Sequence, residues 1–326
     1  MPTYSLVVPA YNEEAVVSEL VARLGQLMDA LDGEAEAILV DDGSRDRTYE
    51  LMVEATAGDP RFRLVRLSRN FGHQIALTAG ADLATGDAVV VLDADLQDPP
   101  EVVLELAKRW REGYDVVYAV REERRGETTF KRKTAAWFYR GFNRVSEVQV
   151  PIDVGDFRLV DRRALDVFHH MRESNRFVRG MFSWIGLRQT GVAYQRDERF
   201  AGETKYPLRR MLRFAASGVI SFSSAPLHAA LNLGFLVSAL SFAFGAWSVV
   251  VKLSGLYEVP GWTSIVVVTT LIGGVQLIVL GVIGEYIGSI HDEVKRRPLY
   301  VIGDLENFGE LPPLPPRAVV VRPRGR

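Results

Sequence analysis

The 326-residue chain is 48% apolar and 25% charged, a balance compatible with one large domain or two smaller ones, each with a buried core. It has no cysteine, which excludes a disulfide framework and thiolate chemistry. Its net charge of −2 points to no nucleic-acid partner and conceals a local asymmetry that is more informative.

The predicted elements start with Tyr4-Ser5-Leu6-Val7-Val8-Pro9, a short β-rich run ended by a proline. This run is too short for a signal peptide and leads directly into Glu13-Glu14. Val16, Val17, Leu20, Leu24, Leu27 and Leu31 then recur at helical spacing and predict a helix over residues 13–31. The alternation continues with strands at 35–40, 62–67, 88–92 and 115–120, separated by helices at 48–57, 74–83 and 101–111. Strands and helices in strict alternation argue for a doubly wound α/β domain with a mostly parallel sheet, whose functional loops lie at the carboxyl ends of the strands. No internal repeat is present.

Chemistry-bearing residues collect at those strand ends. The first strand ends in Pro9-Ala10-Tyr11-Asn12-Glu13-Glu14 and the second in Asp41-Asp42-Gly43-Ser44. The third leads to Arg69-Asn70-Phe71-Gly72-His73-Gln74, and the fourth to Asp93-Ala94-Asp95-Leu96-Gln97-Asp98-Pro99-Pro100. No Gly-x-Gly-x-x-Gly follows the first strand, which removes most support for a dehydrogenase-type dinucleotide site. Taken alone, Asp93-x-Asp95 reads equally as a hard-cation site or as acids capping the helix that Pro99 and Pro100 begin. Carboxylates crowded on one sheet edge repel each other unless a cation or a set of donors is bound, so the context favours a metal-bound nucleotide. In that reading Asp98 remains the helix cap.

The last third changes character. Residues 229–251 and 262–284 hold no charged side chain, and each run of 23 is long enough to cross a hydrocarbon core of roughly 30 Å. Gly255, Pro260 and Gly261 lie in the short connection, which predicts a transmembrane hairpin. Lys205, Arg209, Arg210 and Arg213 precede it and Lys295, Arg296 and Arg297 follow it, whereas the connection carries only Lys252. The positive-inside rule therefore places the N-terminal domain and the tail on the cytoplasmic side of the plasma (inner) membrane. In residues 207–222, Leu208, Met211, Leu212 and Ala215 interleave with arginines, as in a helix lying in the headgroup layer. Residues 130–145 read either as a second such helix or as a core helix. The tail beyond Gly303, with Leu311-Pro312-Pro313-Leu314-Pro315-Pro316, is expected to be extended and disordered.

The four strand-end motifs together resemble family 2 glycosyltransferases, and among them the polyprenyl-phosphate glycosyltransferases. Val154-Gly155-Asp156-Phe157-Arg158-Leu159, the stretch Arg199-Phe200-Ala201-Gly202-Glu203-Thr204-Lys205-Tyr206 and Gly281-Val282-Ile283-Gly284-Glu285-Tyr286 extend the likeness. It covers nearly the whole chain, and the two-helix tail is similar to bacterial enzymes that load sugars onto undecaprenyl phosphate. The resemblance implies a GT-A domain over residues 1–206, juxtamembrane helices over 207–227, a two-helix transmembrane hairpin over 228–287 and a cytoplasmic tail over 288–326. It also implies an inverting transfer from a nucleotide-diphosphate sugar to polyprenyl phosphate and, as in similar enzymes, a homo-oligomer, a tetramer.

Residue by residue, the resemblance implies that Pro9, Tyr11, Glu13 and Asp42 hold base and ribose and that Asp93 helps to place the nucleotide. Asp95 and Gln97 become the ligands of Mg²⁺ or Mn²⁺. Tyr11 reads equally as a stacking platform or as a ring packed on the sheet edge, and His73 reads as a helix-entry hydrogen bonder ahead of a catalyst. The acceptor phosphate carries roughly −1.5 to −2 charge and needs cations; Arg121, Arg132, Arg199 and Lys205 are the candidates. Asp156 is the aspartate proposed as the base in similar enzymes, or else a residue that orients the phosphate arginines or a sugar hydroxyl. A processive synthase would carry Gln-x-x-Arg-Trp and a longer channel, which this chain lacks. A non-catalytic nucleotide-sugar-binding scaffold would not need Asp93, Asp95, Gln97 and Asp156 together.

Overall fold

The computed structural model describes residues 1–121, 154–195, 223–254 and 261–321. Arg132, Arg199, Lys205, the amphipathic stretch 207–222 and the helix expected over 130–145 lie outside the described residues.

Buried apolar runs build the strands and helical spacing builds the helices between them. In chain order the first part is β1 (Thr3–Ala10), α1 (Val17–Ala30), β2 (Glu34–Asp41), α2 (Thr48–Ala55), β3 (Phe62–Leu67), α3 (His73–Leu83), β4 (Ala88–Val91), α4 (Val102–Arg111) and β5 (Val116–Arg121). These agree with the sequence expectation to within a few residues at each end. β1 is central, parallel to β2 on one side and to β4 on the other, and β3 continues the parallel set beyond β2. The strand order therefore reverses at β1, and a crevice opens beyond the carboxyl ends of β1 and β4. Alternate residues of β1 feed opposite layers. Leu6 and Val8 pack with Leu20, Leu24, Met52 and Val103 of α1, α2 and α4. Val7 joins the layer of Ala76 and Leu77 on α3.

The second part was not foreseen as elements: β6 (Val154–Asp161), α5 (Arg162–His170), α6 (Val178–Ile185) and β7 (Gln189–Tyr194). β6 inserts antiparallel between β4 and β5, and β7 runs parallel to β5 at the sheet's edge. The insertion positions the site. Val91 pairs with Arg158, so continuing the same antiparallel register sets residue 156 opposite residue 93. α5 and α6 complete the α3 layer through Leu165, Phe168, Met181 and Phe182.

α7 (Ala225–Leu253) and α8 (Trp262–Val294) are both long and apolar enough to cross a membrane. At 1.5 Å per residue, the 33 residues of α8 are longer than the roughly 30 Å of a hydrocarbon core. Towards its end the Tyr286 hydroxyl donates 2.7 Å to the Ser223 carbonyl, tying the start of α7 to the last turns of α8.

The expectation of a disordered tail is corrected. β8 (Tyr300–Glu306) pairs antiparallel with β3, and β9 (Ala318–Val320) pairs parallel with β8. Leu299, Tyr300 and Ile302 are buried in the α3 layer, and Leu311 and Leu314 of the proline-rich stretch pack against it. Prolines make that stretch a stiff connector between two strands, and the burial of its leucines holds it down. Tyr300 donates 2.7 Å to buried Asp82 on α3, which also accepts from Arg172 at 2.8 and 2.9 Å. Arg317 bonds Glu293 at the end of α8 and Ser174 of the domain, and Glu293 accepts the Ser174 N–H at 2.7 Å.

Candidate active site

The ends of β1 and β2 form a hydrogen-bonded lattice. Asn12 has a left-handed backbone, with φ 55°. Its N–H donates to the Ser44 hydroxyl and its side-chain oxygen accepts the Arg45 N–H. The Glu13 N–H donates 2.8 Å to Thr48 Oγ1. Pro9 is buried within β1, whereas Tyr11 is 38% exposed, so its ring is not packed down on the sheet edge.

Asp42 is buried and accepts the Phe71 N–H at 2.7 Å and the Gly72 N–H at 2.9 Å, one on each oxygen. Burial pushes its pKa up against the pull of these bonds. Asp42 thus shapes the loop that leads to His73. Gly43 makes this packing possible: its φ is +66°, and a Cβ there would sit 2.4 Å from the Arg69 carbonyl carbon.

At the end of β4, Asp93, Asp95 and Gln97 are half-buried. Asp95 Oδ1 accepts the Gln97 N–H at 3.1 Å across a turn in which buried Leu96 takes φ 55°. Asp95 and Gln97 on this turn carry carboxylate and amide oxygens, hard donors of the kind that Mg²⁺ or Mn²⁺ takes when a substrate diphosphate completes its shell. Among the described residues no three His, Cys, Asp or Glu side chains form a metal-holding group.

Asp98 is not the helix cap. α4 starts at Glu101 with no side-chain cap, and Asp98 is instead buried, accepting the Tyr194 hydroxyl of β7. Arg121, at the end of β5, donates 3.2 Å to the same Tyr194 oxygen and lies 3.6 Å from Asp98. Its guanidinium also lies over Gly155, where a Cβ would come 3.0 Å from Nη2. The third acid of the motif therefore braces the turn against the far strands and holds Arg121 over Gly155.

Asp156 is buried at the start of β6 and bonded from three directions. Arg179 of α6 donates from Nε at 2.9 Å and from Nη2 at 3.3 Å, and Gln74 of α3 donates at 2.9 Å. His73 Nε2 stands 3.3 Å from Asp156 and 3.5 Å from Asp93, bridging the two carboxylates. Burial pushes the Asp156 pKa up, but Arg179 and His73 outweigh it and hold the carboxyl well below the usual carboxylate range. For His73, burial disfavours the imidazolium, yet the Asp156 hydrogen bond and the Asp93 charge prevail and push its pKa up to about 9. Burial raises the pKa of Asp93, with His73 opposing. Beneath them Arg158 is buried, with its guanidinium over the Phe182 ring and its pKa lowered by burial to about 10.

The fold therefore brings Pro9, Tyr11, Glu13, Asp42, Asp93, Asp95, Gln97, Arg121 and Asp156 to one edge of the sheet. Sequence reasoning missed Gln74, Arg158, Arg179 and Tyr194 and undervalued His73. Gln74 and Arg158 stood inside the quoted motifs, next to residues that were chosen; Arg179 and Tyr194 carried no local signal.

With this geometry in place, comparison with known proteins is specific. A profile described as glycosyl transferase family 2 matches residues 5–168. The chain is 51% identical to the uncharacterized glycosyltransferase YkcC of Bacillus subtilis, over 92% of this chain and 93% of that protein. It is 45% identical to the uncharacterized glycosyltransferase sll0501 of Synechocystis, over 94% and 97%. It is 40% identical to the bactoprenol glucosyl transferase of Shigella phage SfII, over 91% and 96%.

Proposed function

Because the chain belongs to glycosyl transferase family 2, we propose that it moves one monosaccharide from a nucleotide-diphosphate sugar to a polyprenyl phosphate at the cytoplasmic face of a membrane. One observation carries this reading above the others. The Asp95–Gln97 turn, Asp93 and Asp156 converge on one sheet edge of a domain joined to two membrane-length helices. The similarity to a bactoprenol glucosyl transferase over nearly the full length of both chains supports the lipid acceptor and makes glucose the first sugar to test.

In this reading the base and ribose lie along Pro9, Tyr11, Glu13 and Asp42. Asp95 and Gln97 would hold Mg²⁺ or Mn²⁺, which when bound neutralises charge on the departing diphosphate. Arg121 meets the acceptor phosphate from the β5 side, with Arg132, Arg199 and Lys205 as further candidates from the sequence. A phosphate oxygen attacks the anomeric carbon from the face opposite the diphosphate, so a single displacement inverts configuration. The basic residues flanking the hairpin support a cytoplasmic catalytic domain.

The test supplies UDP-, GDP- and dTDP-sugars, undecaprenyl phosphate and either Mg²⁺ or Mn²⁺ to the full-length protein, and identifies the lipid product by mass spectrometry. A sugar-phosphate lipid that disappears with EDTA and in Asp95→Asn is expected. No lipid-linked sugar from any donor would overturn the function, and full metal-dependent activity in Asp95→Asn would overturn the metal assignment.

A further inference from the structure

Asp156 is engaged in a way that does not suit a proton acceptor. Both of its oxygens receive donors carried by two helices: Arg179 at the start of α6, and His73 and Gln74 at the start of α3. The two helix starts are themselves joined, because Gln74 accepts the Val178 N–H at 3.1 Å while donating to Asp156. Arg158, from β6 itself, lies 3.9 Å away on the remaining side. A carboxylate held by a two-pronged guanidinium and two further donors has one orientation and keeps its charge.

We propose that Arg179 is a positioning residue for the transfer, which with His73 clamps Asp156 as a fixed anion that aligns the reacting groups and takes no proton. The proposal rests on the glycosyl-transfer reading above and assigns a role within it. The chemistry requires no base. A dianionic phosphate oxygen forms the new bond to the anomeric carbon, and the bond from that carbon to the diphosphate oxygen breaks. The electron pair leaves with the nucleoside diphosphate, so one negative charge passes from acceptor to leaving group and no proton moves. Charge favours the same arrangement. Asp156 itself faces three cations, His73, Arg158 and Arg179, which hold it as an anion.

The experiment uses full-length protein in detergent with UDP-glucose, undecaprenyl phosphate and Mn²⁺, or with whichever donor the panel above identifies. Arg179→Gln is expected to lower kcat on the order of 100-fold while leaving the KM for donor within about twofold, and Arg179→Lys to recover roughly tenfold of the loss. Unchanged UDP–Mn²⁺ binding by calorimetry shows that each variant is folded. The acid limb of kcat/KM should follow the acceptor's second ionisation, about 6, and persist in the residual activity of Asp156→Asn. A kcat for Arg179→Gln within about twofold of wild type, or loss of that limb in Asp156→Asn, would overturn the proposal. The clamp is also read without turnover, from ¹⁵N-histidine spectra at about pH 8, where an ordinary imidazole is neutral. A His73 imidazolium signal that vanishes in Asp156→Asn is expected, and its absence from wild type would overturn the clamp. Failure of wild type to glycosylate any lipid would instead strike at the function.

Discussion

Replacing Tyr300 by Phe removes one oxygen from a ring that is wholly buried, and so isolates the contact by which the tail holds the domain. The hydroxyl donates 2.7 Å to the Asp82 carboxylate, itself buried on α3, and the ring occupies the layer shared by α3 and β8. A hydrogen bond to a charged group contributes about 1.5–3 kcal/mol. Arg172 still bonds both oxygens of Asp82, so the lower end, about 1.5–2 kcal/mol, is expected. At about 2–4 °C per kcal/mol for a domain of this size, Tm should fall by roughly 3–8 °C. Intrinsic-fluorescence melting of the full-length protein in detergent measures it, with Ile302→Ala as a companion that should cost about 2–5 kcal/mol through the cavity it leaves. A Tyr300→Phe melting curve within about 1 °C of wild type would mean that the tail does not lie on α3, and the assignment of β8 would fail with it.

Other consequences are equally direct. Gly43→Ala forces a side chain into φ +66° and against the Arg69 backbone, costing about 1–2 kcal/mol in strain alone; because the displaced loop is the one Asp42 holds, donor KM should rise roughly tenfold in steady-state assays. Tyr194→Phe removes the hydroxyl shared by Asp98 and Arg121, so KM for undecaprenyl phosphate should rise about three- to tenfold with donor KM unchanged. The His73 pKa rises from 6.5 to about 9 on folding, so its stabilisation is complete below about 6.5 and is lost as pH climbs through about 9. Halved for a ring 38% exposed, this amounts to about 1–2 kcal/mol, seen as a Tm gap between wild type and His73→Gln that narrows across that window.

The parallel half of the sheet was legible because its signals are local. Leu20, Leu24 and Leu27 announce α1 without reference to the rest of the chain, and each strand's polar ending marks the edge where chemistry is placed. β6 was illegible for the opposite reason. It is buried along nearly its whole length yet contains Asp156, whose charge is met by Arg179, His73 and Gln74, which the sequence keeps far away. Asp98 beside Pro99-Pro100 looked like a cap because its partner, Tyr194, lies 96 positions along the chain. The tail was misread through its prolines. Composition suggested an extended coil, while Leu299, Tyr300 and Ile302 just ahead of it carried the pattern of a strand buried on one face.

β8 and β9 also change what the membrane segment is. A chain that leaves the sheet after β7 and returns to its far edge as β8 does not end in an anchor; the hairpin is an insertion within the α/β domain. Stopping translation ahead of Ala225 would therefore strip two strands from the sheet and bare the edge of β3. A soluble form of the enzyme calls for excision, with the segment between Tyr194 and Leu299 replaced by a linker and the last strands kept.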